Sequence, residues 1–335
     1  MSFITFGEIM LRLTPAEPFV KIKTSRNFET NYAGSESNVA SSLAILGNDV
    51  NFITKLPVNQ LGDGALSSLQ SFGIQTNYIV RGGTRIGAYF IEQGSSIRPS
   101  SVIYDRANSA ISEIKANEFD WETILSNKKW IFLSGITPVL SKQCALETIK
   151  AAKTAQEKGV KVAFDMNYRR TLWKNAANAR KIFNEILEYT DVLFGNEGVL
   201  KDVYDISPSG NSSQERTQNA MGMARKKFGI NELAFTSRDQ ISASKNKLSG
   251  LYLANQNHFV TKPISVSITD RFGTGDAFAA AFLHATHLDW NPQKTIDFAT
   301  AAFALKHTIN GDQHTSDESE ILAVMDGYTK GHVIR

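Results

Sequence analysis

Cysteine is almost absent: of 335 residues only Cys144 carries a thiol. One thiol cannot close an intrachain disulfide, and it cannot build a cysteine-based zinc cluster. An excess of either charge is missing too. Lys and Arg number 36 against 33 Asp and Glu, a net charge of +3, so nothing electrostatic points to nucleic acid or an anionic membrane as partner. No apolar run approaches the roughly 20 residues that span a bilayer. Residues 1–8 carry no basic cluster and no apolar leader core, so the expected location is the cytoplasm. The six histidines show no metal-ligand spacing. With 42% hydrophobic and 21% charged residues, disordered and low-complexity classes are excluded. The length admits two domains or one large α/β unit.

What is present is alternation. Short β-like runs at 2–6, 50–54, 130–133, 160–164, 192–194 and 233–236 are separated by helical patterns at 36–46, 142–158, 176–189 and 214–228. Gly47 and Gly159 stand as helix stops. Such alternation predicts an α/β fold: three layers, helices on both faces of a mostly parallel sheet. Two stretches, 9–33 and 84–106, break the pattern and read as extra strands forming a small β flap. The Ser/Gly/Asn/Pro-rich run 207–213 reads as a surface loop. Cys144 falls in a helical pattern and reads as a small buried hydrophobe.

The most informative segment is Asp270-Arg271-Phe272-Gly273-Thr274-Gly275-Asp276, followed directly by the helix-forming run 277–283. Glycines let bare backbone N–H groups approach a ligand, and the start of a helix is electropositive, so the turn is a natural anion site. Asp276 beside it suits the removal of a proton from a hydroxyl that attacks phosphorus. On four residues alone, a capped helix start is the better explanation of the turn, since such turns are common. The lysine-containing P-loop is absent, and Phe278 holds the third glycine position of a dinucleotide-binding fingerprint.

A second block, Ala33-Gly34-Ser35-Glu36-Ser37-Asn38-Val39-Ala40, completes a pair of signatures. With both, the chain resembles the ribokinase-type (PfkB) family of carbohydrate kinases over nearly its whole length. The resemblance implies a ribokinase-like α/β/α sandwich, read as one kinase domain over 1–335 with the flap at about 9–33 and 84–106 as its lid. It implies ATP with Mg²⁺, and it admits a monovalent cation near Asp270. Within the family, four local matches resemble the members that act on 2-keto-3-deoxygluconate: 7–15, 104–110, 165–169, and 306–312 from Lys306 to Asp312.

Carried over residue by residue, the resemblance makes Asp276 the catalytic base and Gly273, Thr274 and Gly275 the anion hole. It puts Gly34, Tyr89, Tyr104, Arg106, Arg169 and Asp312 on the sugar acid. Asn167, Asn196, Ser237 and Arg238, with Gly273 and Gly275, fall on the nucleotide side. Arginine forks match a planar carboxylate, which independently favours an acidic sugar. Family members for neutral sugars often carry an aspartate near position 12, where this chain has Arg12. The expected reaction is transfer of the γ-phosphoryl group to the C6 hydroxyl of 2-keto-3-deoxygluconate. A fructokinase or another keto-sugar or sugar-acid kinase of the same family, and a non-catalytic sugar-acid binder, are the alternatives. The resemblance also implies a homo-oligomer paired through the lid.

Three departures stand out. Val199 occupies the position of a family glutamate, leaving Glu197 or other groups to serve magnesium, so the metal ligands are unassigned. The run Ser237-Arg238-Asp239-Gln240 lacks the Gly-x-x-Gly turn expected near the nucleotide. Phe272 is bulky where small residues are commoner.

Overall fold

The structure is a computed structural model in which residues 2–242 and 244–328 are described. Strand β1 (Ser2–Phe6) opens the main sheet, and β2 (Met10–Pro15) and β3 (Phe28–Ala33) leave it as a hairpin. The chain returns through α1 (Ser35–Ile45) to β4 (Asp49–Ile53), then passes β5 (Lys55–Leu56), α2 (Gln60–Ser71) and β6 (Val80–Arg81). Strands β7 (Ala88–Glu92) and β8 (Ser101–Asp105) rejoin the hairpin. A short α3 (Trp121–Ile124) precedes the regular part: β9 (Trp130–Ser134), α4 (Lys142–Glu157), β10 (Lys161–Asp165), α5 (Ala176–Leu187) and β11 (Val192–Gly195). Helices α6 (Glu197–Tyr204) and α7 (Ser213–Phe228) lead to an antiparallel edge of β12 (Glu232–Gln240), β13 (Lys245–Ala254), β14 (Asn257–Val260) and β15 (Ile264–Ser267). Helices α8 (Thr274–His287), α9 (Pro292–Lys306) and α10 (Glu318–Met325) close the chain.

The main sheet runs β14-β13-β12-β11-β10-β9-β1-β4, with β15 also paired to β13. From β12 to β4 every pairing is parallel. The parallel strands are short apolar runs buried on both faces, which fits a sheet covered twice. One core lies between the sheet and α4–α7, the other between the sheet and α1, α2, α8, α9 and α10. The helix starts are chemically marked: Ser141, Asn175, Asn196 and Ser212 each accept a backbone N–H from the first turn of the helix they cap. The three-layer α/β/α reading therefore holds, and the six expected strands appear with ends shifted by one residue or none, except β12.

That exception has a physical reason. With no glycine at 237–240 to turn the chain, β12 continues in register against β13, from Ser237 opposite Ser249 to Gln240 opposite Asn246. The second sheet, ordered β3-β2-β7-β8, comes from the two segments that broke the alternation. Its inner face carries Met10, Ala33, Tyr89 and Ile91, with Tyr104 and Phe272 packed against them.

Candidate active site

Parallel α/β sheets bind ligands beyond the carboxyl ends of their strands, and the segments following β1, β9, β10 and β11 gather there with the N-terminus of α8. Gly273 is the N-cap of α8, at φ 69°. A Cβ at this position would stand 1.8 Å from the carbonyl oxygen of Asp312, so glycine is required by backbone conformation and by close approach alike. Gly275 faces open space. The first-turn N–H groups of α8 lack carbonyl partners within the helix, and they are available to an anion. The Thr274 hydroxyl donates to the Arg271 carbonyl at 3.1 Å, so this side chain braces the loop while its backbone faces the cleft.

Asp276 sits in the first turn of α8 and is buried. Its Oδ1 accepts from the Ser35 hydroxyl at 2.7 Å and its Oδ2 from the Asn38 amide at 2.8 Å. Ser35 in turn accepts from the Asn167 amide at 2.8 Å. Asn167 holds a left-handed φ of 32° just past β10, which aims its side chain at this network. Burial pushes the Asp276 carboxyl up to about 7, the two hydrogen bonds opposing it, with Asp165 adding like-charge repulsion. Ser35 and Asn38 stand inside the N-terminal signature, but the resemblance by itself assigns neither to the site.

Two clefts meet at this carboxylate. The first, of about 560 Å³, lies under the small sheet and is lined by Gly34, Tyr89, Tyr104, Arg106 and Asp312 among others. The second, of about 1270 Å³, runs over the strand ends past Asn167, Asn196, Arg238 and the 273–276 turn. Arg169, Phe272, Gly273 and Asp276 belong to both walls. A hydroxyl in one cleft and a phosphate in the other would thus share one base and one anion-binding turn. A model of the pfkB family of carbohydrate kinases matches residues 2–318. The chain belongs to that family.

Similar proteins match nearly the whole of this chain. A solved 2-dehydro-3-deoxygluconokinase of Thermotoga maritima is 43% identical, covers 98% of each chain and superposes with a TM-score of 0.94. A 2-dehydro-3-deoxygalactonokinase of Haloferax volcanii is 32% identical over 330 residues, 98% of each chain. A solved PfkB family carbohydrate kinase of Listeria grayi is 30% identical with a TM-score of 0.91, covering 97% of this chain and 100% of that one.

On the lid side of this pfkB kinase, charge is arranged in pairs that the sequence did not disclose. Arg106 donates from Nε to Glu8 at 2.8 Å and from Nη2 to the same oxygen, and it lies over the Tyr104 ring. Both partners are buried, and the second oxygen of Glu8 has no hydrogen-bond partner among the described residues. The charge of Arg106 is thus already paired, while Arg169 projects exposed at the junction of the clefts. Arg12 is tied to Asp312 and, at 2.8 Å, to Asp270, and it stands over Phe272 at 5.6 Å. This explains the bulky Phe272: its ring packs against the lid core and supports the guanidinium. Tyr89 and Asp312 stand together in the wall of the cleft under the small sheet. Gly34 is demanded by crowding, because a Cβ there would lie 1.9 Å from the Glu8 carbonyl oxygen.

The nucleotide side needs one correction. Ser237 does not reach the cleft; its hydroxyl meets Ser213 at 2.8 Å on the other face of β12, and Thr236 and Arg238 face the cleft instead. Strand alternation decides this, and it applies because β12 does not turn at 237. Arg238 lies over Phe303 at 5.7 Å. Asn196 spends its side-chain oxygen capping α6 through the Val199 N–H at 3.1 Å. Val199 is buried in the core, and Glu197 pairs with Arg216 at 3.1 Å, so Glu197 does not stand in for the family glutamate. Among the described residues no three His, Cys, Asp or Glu side chains form a metal cluster. Asp165 in the cleft wall offers one carboxylate, with Oδ1 accepting from the Asn167 N–H at 3.0 Å. A single carboxylate fits Mg²⁺, which is commonly held by phosphate oxygens, waters and one or two carboxylates.

Proposed function

We propose that this pfkB kinase transfers the γ-phosphoryl group of ATP to the C6 hydroxyl of 2-keto-3-deoxygluconate, giving 2-keto-3-deoxy-6-phosphogluconate. One observation carries the reading: a buried carboxylate, with its pKa near 7, stands in the wall shared by the two clefts. The similarity to the Thermotoga and Haloferax kinases supports a keto-deoxy sugar acid as substrate.

In this mechanism Arg169 and the remaining N–H groups of Arg106 hold the sugar carboxylate, a charge-assisted and planar match. Tyr89, Tyr104 and Asp312 bind hydroxyls, and Gly34 leaves room for the sugar. The C6 hydroxyl loses its proton to Asp276 as its oxygen bonds to phosphorus. The bond from the γ-phosphorus to the bridging oxygen breaks, and ADP leaves. Ser35 and Asn38 keep the carboxylate aimed. Backbone N–H groups of the 273–276 turn offset charge on the moving phosphoryl group, and Gly273 and Gly275 admit it without side-chain obstruction. Arg238 and Asn167 line the nucleotide path. Asp165 is the protein carboxylate that would hold Mg²⁺, whose charge would offset that of the phosphate oxygens.

The chain then acts as one kinase unit with the four-stranded sheet as lid. We assign it to the cytoplasm, in keeping with an ATP-dependent reaction; no helix among the described residues is long and apolar enough to cross a membrane. We also propose a homo-oligomer paired through the lid. Its outer face supports this: Leu13, Phe90 and Ile103 are neighbours across β2, β7 and β8, and the Phe28 ring meets Phe90 at 6.0 Å.

The deciding experiment measures ADP release with 2-keto-3-deoxygluconate, its C4 epimer 2-keto-3-deoxygalactonate, fructose and gluconate. The expected result is the highest kcat/KM for 2-keto-3-deoxygluconate. A higher value for fructose would overturn the sugar-acid reading, and a higher value for the epimer would move the assignment to that acid.

A further inference from the structure

Lys306 is the last residue of α9, and its side chain is fully buried, at 0% exposure. Its ammonium donates to the carbonyl oxygens of Ile309 at 2.9 Å and Gly311 at 2.6 Å. A lysine that merely caps a helix reaches back to the final helical carbonyls. This one reaches forward, to the loop that carries Asp312. That loop is tied to the anion-binding turn at two points. The Gly311 N–H donates to Asp270 Oδ2 at 3.1 Å, and the Asp312 carbonyl lies against Gly273.

Asp270 is the residue beside which the family resemblance admits a monovalent cation, and its surroundings do not suit one. Its Oδ2 already accepts from Arg12 and Gly311, and its Oδ1 accepts from the Phe272 N–H at 3.2 Å. Two neutral oxygens of the adjoining loop, carbonyls 309 and 311, are engaged by Lys306. Two carboxylates, Asp270 and Asp312, face two fixed cations, Arg12 and Lys306, and the group is neutral as it stands. An added cation would meet like charge on two sides with its ligands already taken. Burial pulls the Lys306 pKa down, while Asp270 and Asp312 oppose that pull and favour the ammonium form.

We infer that the Lys306 ammonium is the resident cation beside the 273–276 turn, so that the kinase needs no exchangeable monovalent ion to hold that turn. Lys306 is a positioning residue: it acts through loop 309–312 on Gly273 and touches no reacting atom. The inference rests on the kinase reading for the turn's role, but its first test does not.

That test compares the full-length protein in potassium chloride and in tetramethylammonium chloride at equal ionic strength, following Tm and ADP formation. A site that binds an ion only when folded raises Tm as the ion is added. The expected Tm and kcat are the same in both salts. A potassium-dependent rise in either would overturn the inference. Tm decides this even if none of the offered sugars is turned over, so a failure of the substrate reading is seen separately. Lys306→Ala and the stem-retaining Lys306→Met form the second arm. Each is expected to lose about tenfold or more in kcat in tetramethylammonium, from a misplaced anion site. Ammonium or potassium ions should restore part of that loss in the alanine variant, which a purely structural lysine would not allow. Unchanged kcat in either folded variant would overturn the assignment. Should both variants fail to fold, the wild-type comparison still decides.

Discussion

Asp276 illustrates what burial does to a single carboxyl group. Held out of water, it titrates near 7, the strength that the proposed base needs at neutral pH. Asp276→Asn should lower kcat by about 10²–10⁴-fold in steady-state assays while circular dichroism remains that of the wild type. The wild-type kcat/KM should climb with pH up to about 7 and level off above it as this base ionises. Stability runs the other way. A carboxyl with a raised folded-state pKa stabilises fully below its unfolded value, and that contribution is lost as pH rises through about 7. Asp276→Asn should therefore gain Tm relative to wild type at pH 8, and the gain should vanish by pH 4. Arg169 is the exposed guanidinium at the cleft junction, in contrast to Arg106 with its Glu8 partner. Arg169→Ala should raise KM for the sugar acid far more than KM for ATP; equal increases would show that Arg169 is structural.

At the scale of elements, the lid is fastened to the body by charge. Glu8 lies between β1 and β2, and Arg106 follows β8, so their buried pair joins the last lid strand to the segment where the chain leaves the main sheet. Removing one partner strands the other as an unpaired buried charge. Glu8→Ala should cost about 3–5 kcal/mol in urea denaturation, and adding Arg106→Met should recover part of that loss. The Arg12 pairs with Asp270 and Asp312 do the same work at the other end of the lid. The α8 start depends on one backbone conformation. Gly273→Ala should cost about 1–3 kcal/mol from the left-handed φ alone, with a further loss of kcat as the crowded Asp312 carbonyl is displaced.

At the scale of the whole molecule, the small sheet turns one face over the first cleft and an apolar face outward. Ile103 on the edge strand β8 is 55% exposed. Sedimentation should give a species of about twice the chain mass of 37.0 kDa, and Ile103→Asp with Phe90→Asp should shift it to the monomer. The order of elements was legible in the sequence because it depends on local chemistry. Apolar runs of five residues, capping Ser and Asn, and glycine stops are properties of neighbours along the chain. The Gly273 to Asp276 turn and its helix were readable for the same reason, as was the departure of two segments into a separate sheet. The antiparallel edge beyond β12 was less readable, since it arises where an expected turn fails to form. The site's pairings lay beyond local chemistry altogether. Ser35 and Asp276 stand 241 residues apart, and Arg12 and Asp312 stand 300 apart. Only the strand order and the close approach of α1 to α8 bring them into reach, and only burial then fixes their charges. Sequence alone thus supplied the family, the Gly273 to Asp276 turn and the carboxylate proposed as the base. Tertiary structure decided which arginines are engaged, why Ser237 misses the cleft, and that a lysine at the end of α9 holds the loop behind the turn.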